Sequence, residues 1–266
     1  MQKYLTVFAV DWQNQFIYRL NFILWRVRNI LRLLMIYFLW NGIFTTNNSI
    51  AGYSRPEMLT YVFLVLVITS IVLSAPSADS IGGEIGSGDL SNYLVKPISY
   101  LKYWFTRDLS SKLLNLSFAL VEICLLWVIL KPEIYISPNP LIWLATLVSL
   151  GFATPIYYLI NASARFVSFW MPENTWGLSF MVIVFMEMTS GMIFPIDVLP
   201  DLAQKILQFT PFPYLIFYPA SIFLGKIEGW NLFWILFQSG LWTLILIGIT
   251  KLIWSKGLHV YSSEGR

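Results

Sequence analysis

Histidine and cysteine are nearly missing from this chain, and charge is scarce. The only histidine, His259, stands among the last ten residues, so histidine metal sites and serine–histidine triads have nothing to be built from. The only cysteine, Cys124, lies inside an apolar block, which excludes a disulfide framework within the chain, CxxC pairs and cysteine metal centres. Only 12% of the 266 residues are charged, about half the share of an ordinary soluble domain. The net charge of +3 is scattered and forms no basic stripe of the kind nucleic-acid binding needs; no nucleic-acid partner is expected.

What the chain has in excess is apolar surface, 57% hydrophobic and 17% aromatic residues. These fall in long blocks instead of short periodic stripes, the pattern of an all-α membrane protein. A bilayer core takes about 20 mostly apolar residues of helix. Six blocks reach or approach that length: Phe22 to Phe44, Leu59 to Ala75, Leu113 to Leu130, Leu141 to Ile160, Trp176 to Ile196 and Trp230 to Trp254. Six spans put both termini on one side, and lysine and arginine choose the cytoplasmic one. Thirteen basic residues, Lys3, Arg19, Arg26, Arg28, Arg32, Lys96, Lys102, Arg107, Lys112, Arg165, Lys251, Lys256 and Arg266, then lie on the side of the termini. Four, Arg55, Lys131, Lys205 and Lys226, lie opposite, so the termini are expected in the cytoplasm.

Residues 1–20 carry Leu5, Phe8, Trp12, Phe16 and Leu20 at helical spacing among Lys3, Asp11, Gln15 and Arg19. This predicts a helix lying along the inner membrane surface. Residues 21–256 form the six-helix transmembrane domain and 257–266 a cytoplasmic tail. The first block is no cleaved signal peptide, because three arginines interrupt it and no small-residue cleavage site follows. On the outer side, residues 195–226 are too apolar for a solvated loop, yet five prolines forbid one continuous helix. Two short helices dipping part-way into the outer leaflet, a re-entrant hairpin, fit that composition.

The stretch GGEIGSGDLSNYLVKPIS, Gly82 to Ser99, has the glycines of a phosphate loop without its chemistry. Gly83 and Gly88 have P-loop spacing, but Asp89 and Leu90 stand where lysine and a hydroxyl residue are required. No third glycine completes GxGxxG either. The residues predict a bend loosened by Gly82, Gly83, Gly86 and Gly88, a helix of under two turns capped by Ser87 or Asp89, and a stop at Pro97. The product is a short knuckle in the cytoplasmic loop, residues 80–102.

Glu84, Gly88, Asp89, Leu90, Tyr93, Leu94, Pro97, Ile98 and Ser99 resemble the E-x-x-x-G-x-L-x-x-L-L-x-x-P-[VIL]-S signature of ABC-2 type transporter permeases. Tyr93 and Asp89 depart from the commoner leucine and threonine, as in the branch reading G-D-L-x-x-Y-L-x-[KR]-P. The inner-surface helix, the six spans and the hairpin are similar to that family along essentially the whole chain. The resemblance implies a permease in the cytoplasmic membrane of a bacterium, dimerising with a second copy or a related permease among membrane lipids. It implies export, of an amphipathic molecule such as a drug, antibiotic or lipid. A separate ATP-binding cassette ATPase would dock on the knuckle, with ATP and magnesium bound by that partner and no cofactor or catalytic residue on this chain. The expected coupling residues are Glu84, Gly88, Asp89, Leu90, Tyr93, Leu94, Lys96 and Pro97, with Tyr93 and Leu94 as buried anchors and Lys96 as a rim charge.

Ionisable groups inside apolar blocks are costly, about 2.5 kcal/mol or more each, and each needs a partner, a proton or water. Glu122 has wholly apolar neighbours and reads as structural. Glu187 sits in FMEMTSGMIFP beside Thr189 and Ser190, where a translocation pathway or a structural bond are both open. Arg28 and Arg32 are one helical turn apart; Arg32 either snorkels to headgroups or meets an acidic substrate or Glu187. Two other functions compete. An ATP-independent secondary transporter or channel calls for inverted repeats, which are absent, and a membrane-embedded lipid-modifying enzyme calls for paired acids or histidines in the spans.

Overall fold

A computed structural model describes residues 2–262 apart from 18, 47 and 75–78. Ala75, the expected end of the second span, and residues 263–266 of the tail lie outside the described residues, as does the side chain of Leu20 in the expected apolar stripe.

Helix α1, Gln2–Ile17, is followed by α2, Arg19–Ile43. A two-residue hairpin, β1 Ser49–Ile50 and β2 Tyr53–Ser54, pairs antiparallel with Ser49 opposite Ser54 and Ile50 opposite Tyr53. Its turn residues Ala51 and Gly52 both have positive φ, the requirement of a tight hairpin. Helix α3, Arg55–Val72, starts where the Glu57 carboxylate accepts from the Ser54 backbone N–H at 2.7 Å and Pro56 fills the first turn. Then come α4, Asp79–Gly86, the single turn α5, Ser91–Leu94, and α6, Tyr100–Leu130. Lys131 ends α6 in the left-handed region. Helix α7, Pro140–Phe166, begins with Pro140 in its first turn and Asn139 accepting from the Leu141 N–H at 3.0 Å. Helix α8, Thr175–Thr189, precedes a run of short pieces that includes α9, Asp201–Gln208, and α10, Phe217–Phe223; α11, Gly229–Val260, closes the chain.

Four helices among the described residues are long and apolar enough to cross a membrane: Arg55–Val72, Tyr100–Leu130, Pro140–Phe169, which runs on through a short 3-10 turn, and Gly229–Val260. The other two expected spans correspond to α2, which carries Arg26, Arg28 and Arg32, and α8, which is only 15 residues long. Helix α3 is the most enclosed of the long helices, while α11 turns most of its surface outward. The α7 face carrying Ala153, Ile156, Tyr157 and Ala162 is buried, and α7 packs on α3, α10 and α11.

Helix α1 rests on α6 through its polar side. The buried Asp11 carboxylate takes a bond from Arg107 Nε at 2.8 Å, while Leu5, Val10 and Phe16 stay exposed. Arg107 and Lys112, which precede the expected third span, lie within the continuous helix α6. The region 195–226 holds two short helices, α9 and α10, with one 3-10 turn before α9 and another between the two; its prolines break the chain. Helix α10 is buried, and α9 exposes Leu202 and Ile206.

The turn after α8 fixes α10 in place. Gly191 has φ +87°, its carbonyl accepts from the Tyr61 hydroxyl at 2.6 Å, and a Cβ there would meet that hydroxyl at 2.7 Å and Phe217 Cβ at 2.8 Å. Gly191→Ala combines a strained φ with overpacking and is expected to lower stability by about 1–3 kcal/mol, read as the thermal midpoint of the detergent-purified chain. An unchanged midpoint would contradict this packing.

Candidate coupling knuckle and membrane charges

The bend that the glycines were expected to loosen is ordered as helix: Gly82, Gly83 and Gly86 belong to α4. Only Gly88 uses glycine's freedom, with φ +84°. There the chain turns, and the Leu90 N–H reaches back to the Glu84 carbonyl at 2.8 Å. The expected caps differ too. Helix α5 has no side-chain cap, because the Ser87 hydroxyl donates to the Asp89 carboxylate at 2.7 Å instead. The knuckle is one turn long, shorter than the expected limit of two, since Val95 ends it before Pro97.

Its base is held from four sides. The Tyr261 hydroxyl, at the end of α11, donates to the Gly88 carbonyl at 2.5 Å and accepts from the Ser91 N–H at 3.0 Å. The Lys3 ammonium of α1 donates to the Pro97 carbonyl. Glu84 accepts from the Tyr100 hydroxyl at 2.6 Å and from Trp104 Nε1 at 3.2 Å, tying α4 to α6. Tyr93 packs edge-on to Tyr100 at 5.5 Å and against Tyr103 at 5.2 Å. Burial pushes the Tyr93 phenol above its ordinary pKa, with Tyr103 and Glu84 adding to the shift, so it stays neutral.

The expected coupling residues therefore divide. Glu84, Gly88 and Leu90 shape the knuckle from within, Gly88 and Leu90 being buried and Glu84 part-buried. Tyr93 is half-buried and buttresses the knuckle from inside against Tyr100 and Tyr103. Asp89, Leu94, Lys96 and Pro97 are exposed, joined by Val95 at 84% exposure. Val95 falls inside the expected docking stretch, Asp89 to Lys96, but is not singled out there, because its place in a short apolar run gives no sign of which way it points. Lys96 folds over the Tyr93 ring at 5.1 Å.

The membrane glutamates have arginine partners. Glu122 on α6 accepts from Arg26 on α2 in a two-pronged contact, Nε at 2.5 Å from Oε1 and Nη2 on Oε2. Arg26 is also within 3.4 Å of Ser70 Oγ and of Asn115 Oδ1. Both charges are buried, so Arg26 is spent on a partner inside the protein, as a structural Glu122 requires. A second buried group lies nearby. Lys112 donates to the Val72 carbonyl at 2.8 Å, to the Ser74 carbonyl and to Asp108 at 3.1 Å, beneath the Tyr157 ring. An ammonium at the last carbonyls of α3 complements the negative end of that helix and joins it to α6.

Arg32 and Glu187 meet at 3.2 Å through one bond, with side chains 29% and 32% exposed. Arg32 borders a narrow cleft of about 30 Å³ between α2 and α3, lined also by Asn29, Leu33, Thr69 and Met192; Glu187 is not in its lining. Thr189 and Ser190 do not line it: the Thr189 hydroxyl bonds back to the Phe185 carbonyl, and Ser190 is fully buried in the turn. Because the pair is part-exposed, Glu187→Gln is expected to cost under about 1 kcal/mol. A loss several times larger in the thermal midpoint would make the pair structural.

Apolar helices of membrane-spanning length, packed with paired buried charges, make this a multi-pass, all-α membrane protein. The chain belongs to the ABC-2 transporter family: the model described as ABC-2 family transporter protein matches residues 30–265. It is a transport subunit rather than an enzyme. No curated protein matches the chain significantly.

Proposed function

We propose that this chain is the permease subunit of an ATP-driven exporter and that the knuckle is where a separate ATP-binding cassette ATPase docks. The observation that carries this reading is an exposed tip, Leu94, Val95 and Lys96, on a base fastened to α1, α4, α6 and α11. An apolar tip on a rigid base is what a socket can grip and push. Motion of the tip passes directly into α6, and the Lys112 latch makes α3 and α6 move as a pair.

In this reading α2 and α8 complete six spans, both termini face the cytoplasm, α1 lies on the inner surface, and residues 195–226 dip into the outer leaflet. Two copies, or this chain and a related permease, enclose the pathway, and the Arg32–Glu187 pair faces it. An amphipathic cargo suits the apolar helices and the bacterial cytoplasmic membrane. Co-purification with an ATPase encoded beside this gene, followed by ATP-hydrolysis measurements, tests the proposal. The expected result is a stable complex whose hydrolysis rate depends on the permease; a permease that captures no ATPase would overturn it.

A further inference from the structure

A large cavity lies away from the knuckle and from the cleft beside Arg32, between α9, α10 and the start of α11. Its volume is about 570 Å³, within the roughly 300–1,000 Å³ of small-molecule sites. Its lining combines amide side chains with aromatic rings. Gln204 spends its NH₂ group on the Asp197 and Leu199 carbonyls at 3.2 and 2.8 Å, leaving its oxygen as an acceptor. Gln238 accepts from the Tyr214 hydroxyl at 2.9 Å, leaving its NH₂ group as a donor. Gln208 and Asn231 are exposed on the wall, each with a donor and an acceptor. Trp234 and Phe209 present rings that are 49% and 82% exposed.

The charges in the cavity are already engaged. Lys226 is held by Glu57 at 2.9 Å and the Gly52 carbonyl at 2.8 Å, over the Tyr53 ring. Asp197 accepts from the Tyr53 hydroxyl at 2.8 Å through one oxygen. What remains for a ligand is mostly neutral amide chemistry beside aromatic faces. Amides match the paired donor–acceptor hydroxyls of a sugar, and the electron-rich ring faces attract the electropositive C–H face of a pyranose.

From this lining we infer that the cavity is a saccharide-binding site, taking a neutral pyranose either as a free sugar or as the headgroup of a glycolipid. The site goes beyond the coupling function and does not depend on it, since binding here needs no ATPase. The lipid source has a route: Leu202 and Ile206 on α9 are exposed beside the cavity and would place its mouth at headgroup level.

The test uses the full chain in phosphatidylcholine nanodiscs, because glycoside detergents would occupy the site. Saturation-transfer NMR with methyl β-D-glucopyranoside is expected to show saturable binding. The double variant Gln208→Leu, Asn231→Leu, which alters only exposed side chains and whose thermal midpoint serves as the folding control, is expected to weaken binding about tenfold, the loss of one to two hydrogen bonds. Nanodiscs containing monoglucosyl diacylglycerol separate the sources: competition by the lipid supports a headgroup site, and its absence alongside glucoside binding supports a free sugar. No saturable transfer from the wild type, equal transfer from the folded double variant, or transfer to tetraethylammonium without the glucoside would overturn the assignment.

Discussion

Replacing Glu122 by alanine is expected to cost about 3–5 kcal/mol of stability, the largest loss from any single substitution considered. The reason is the guanidinium left behind. Arg26 is only 4% exposed, and without the carboxylate it keeps only hydrogen bonds to Ser70 and Asn115, both at the long distance of 3.4 Å, and the Trp25 ring at 5.7 Å. Arg26→Ala strands the carboxylate instead and is also expected to lower stability. Arg26→Met with Glu122→Leu removes both charges and is expected to recover most of the stability, because a buried pair contributes little beyond an apolar replacement of similar size. Thermal midpoints of the detergent-purified chains check the series. A wild-type midpoint for Glu122→Ala would mean the two helices are not joined by this pair.

The second large effect is functional. Leu94→Asp with Val95→Asp is expected to leave the midpoint unchanged, because both side chains point outward at 46% and 84% exposure. If the tip is the ATPase anchor, the same variant loses about 30-fold or more in ATPase affinity, the scale of a hot spot of 2 kcal/mol. Tyr93→Ala acts differently. It removes the buttress against Tyr100 and Tyr103, so it is expected to lower stability and coupling together. Measuring capture and midpoint on the same preparations separates a docking face from its support.

The membrane class and the helical knuckle were readable from the sequence because they rest on local signals: apolar blocks of bilayer length, the break at the end of the knuckle and the missing P-loop lysine. The pairings were not. Arg26 and Glu122 are 96 residues apart, and a lone arginine near the start of an apolar block looks the same whether it snorkels to headgroups or meets a carboxylate on another helix. Glu122 was readable as structural from its apolar neighbours, but its partner was hidden. The glycines misled in the opposite direction. Gly82 and Gly83 suggested a loose bend, yet they lie in a helix whose neighbour Glu84 is pinned by Tyr100 and Trp104, so tertiary bonds overrode local propensity. Ser190 looked like part of a polar pathway surface because hydroxyls cluster there; the left-handed turn at Gly191 instead folds it inward. Outward direction on a one-turn helix, which decides the role of Val95, depends on what packs behind it, and that is set by Tyr93, Tyr100 and Tyr261.

The most direct measurement of the coupling proposal uses the chain's single cysteine. With Cys124 replaced by serine, one new cysteine at position 94, 95 or 90 can be cross-linked to the neighbouring ATPase by a short bifunctional maleimide in native membranes. The account predicts permease–ATPase adducts from Leu94→Cys and Val95→Cys and none from Leu90→Cys, which is buried within the chain. Adducts from Ile136→Cys, at the opposite end of α6 in the loop before α7, with none from positions 94 and 95, would contradict it.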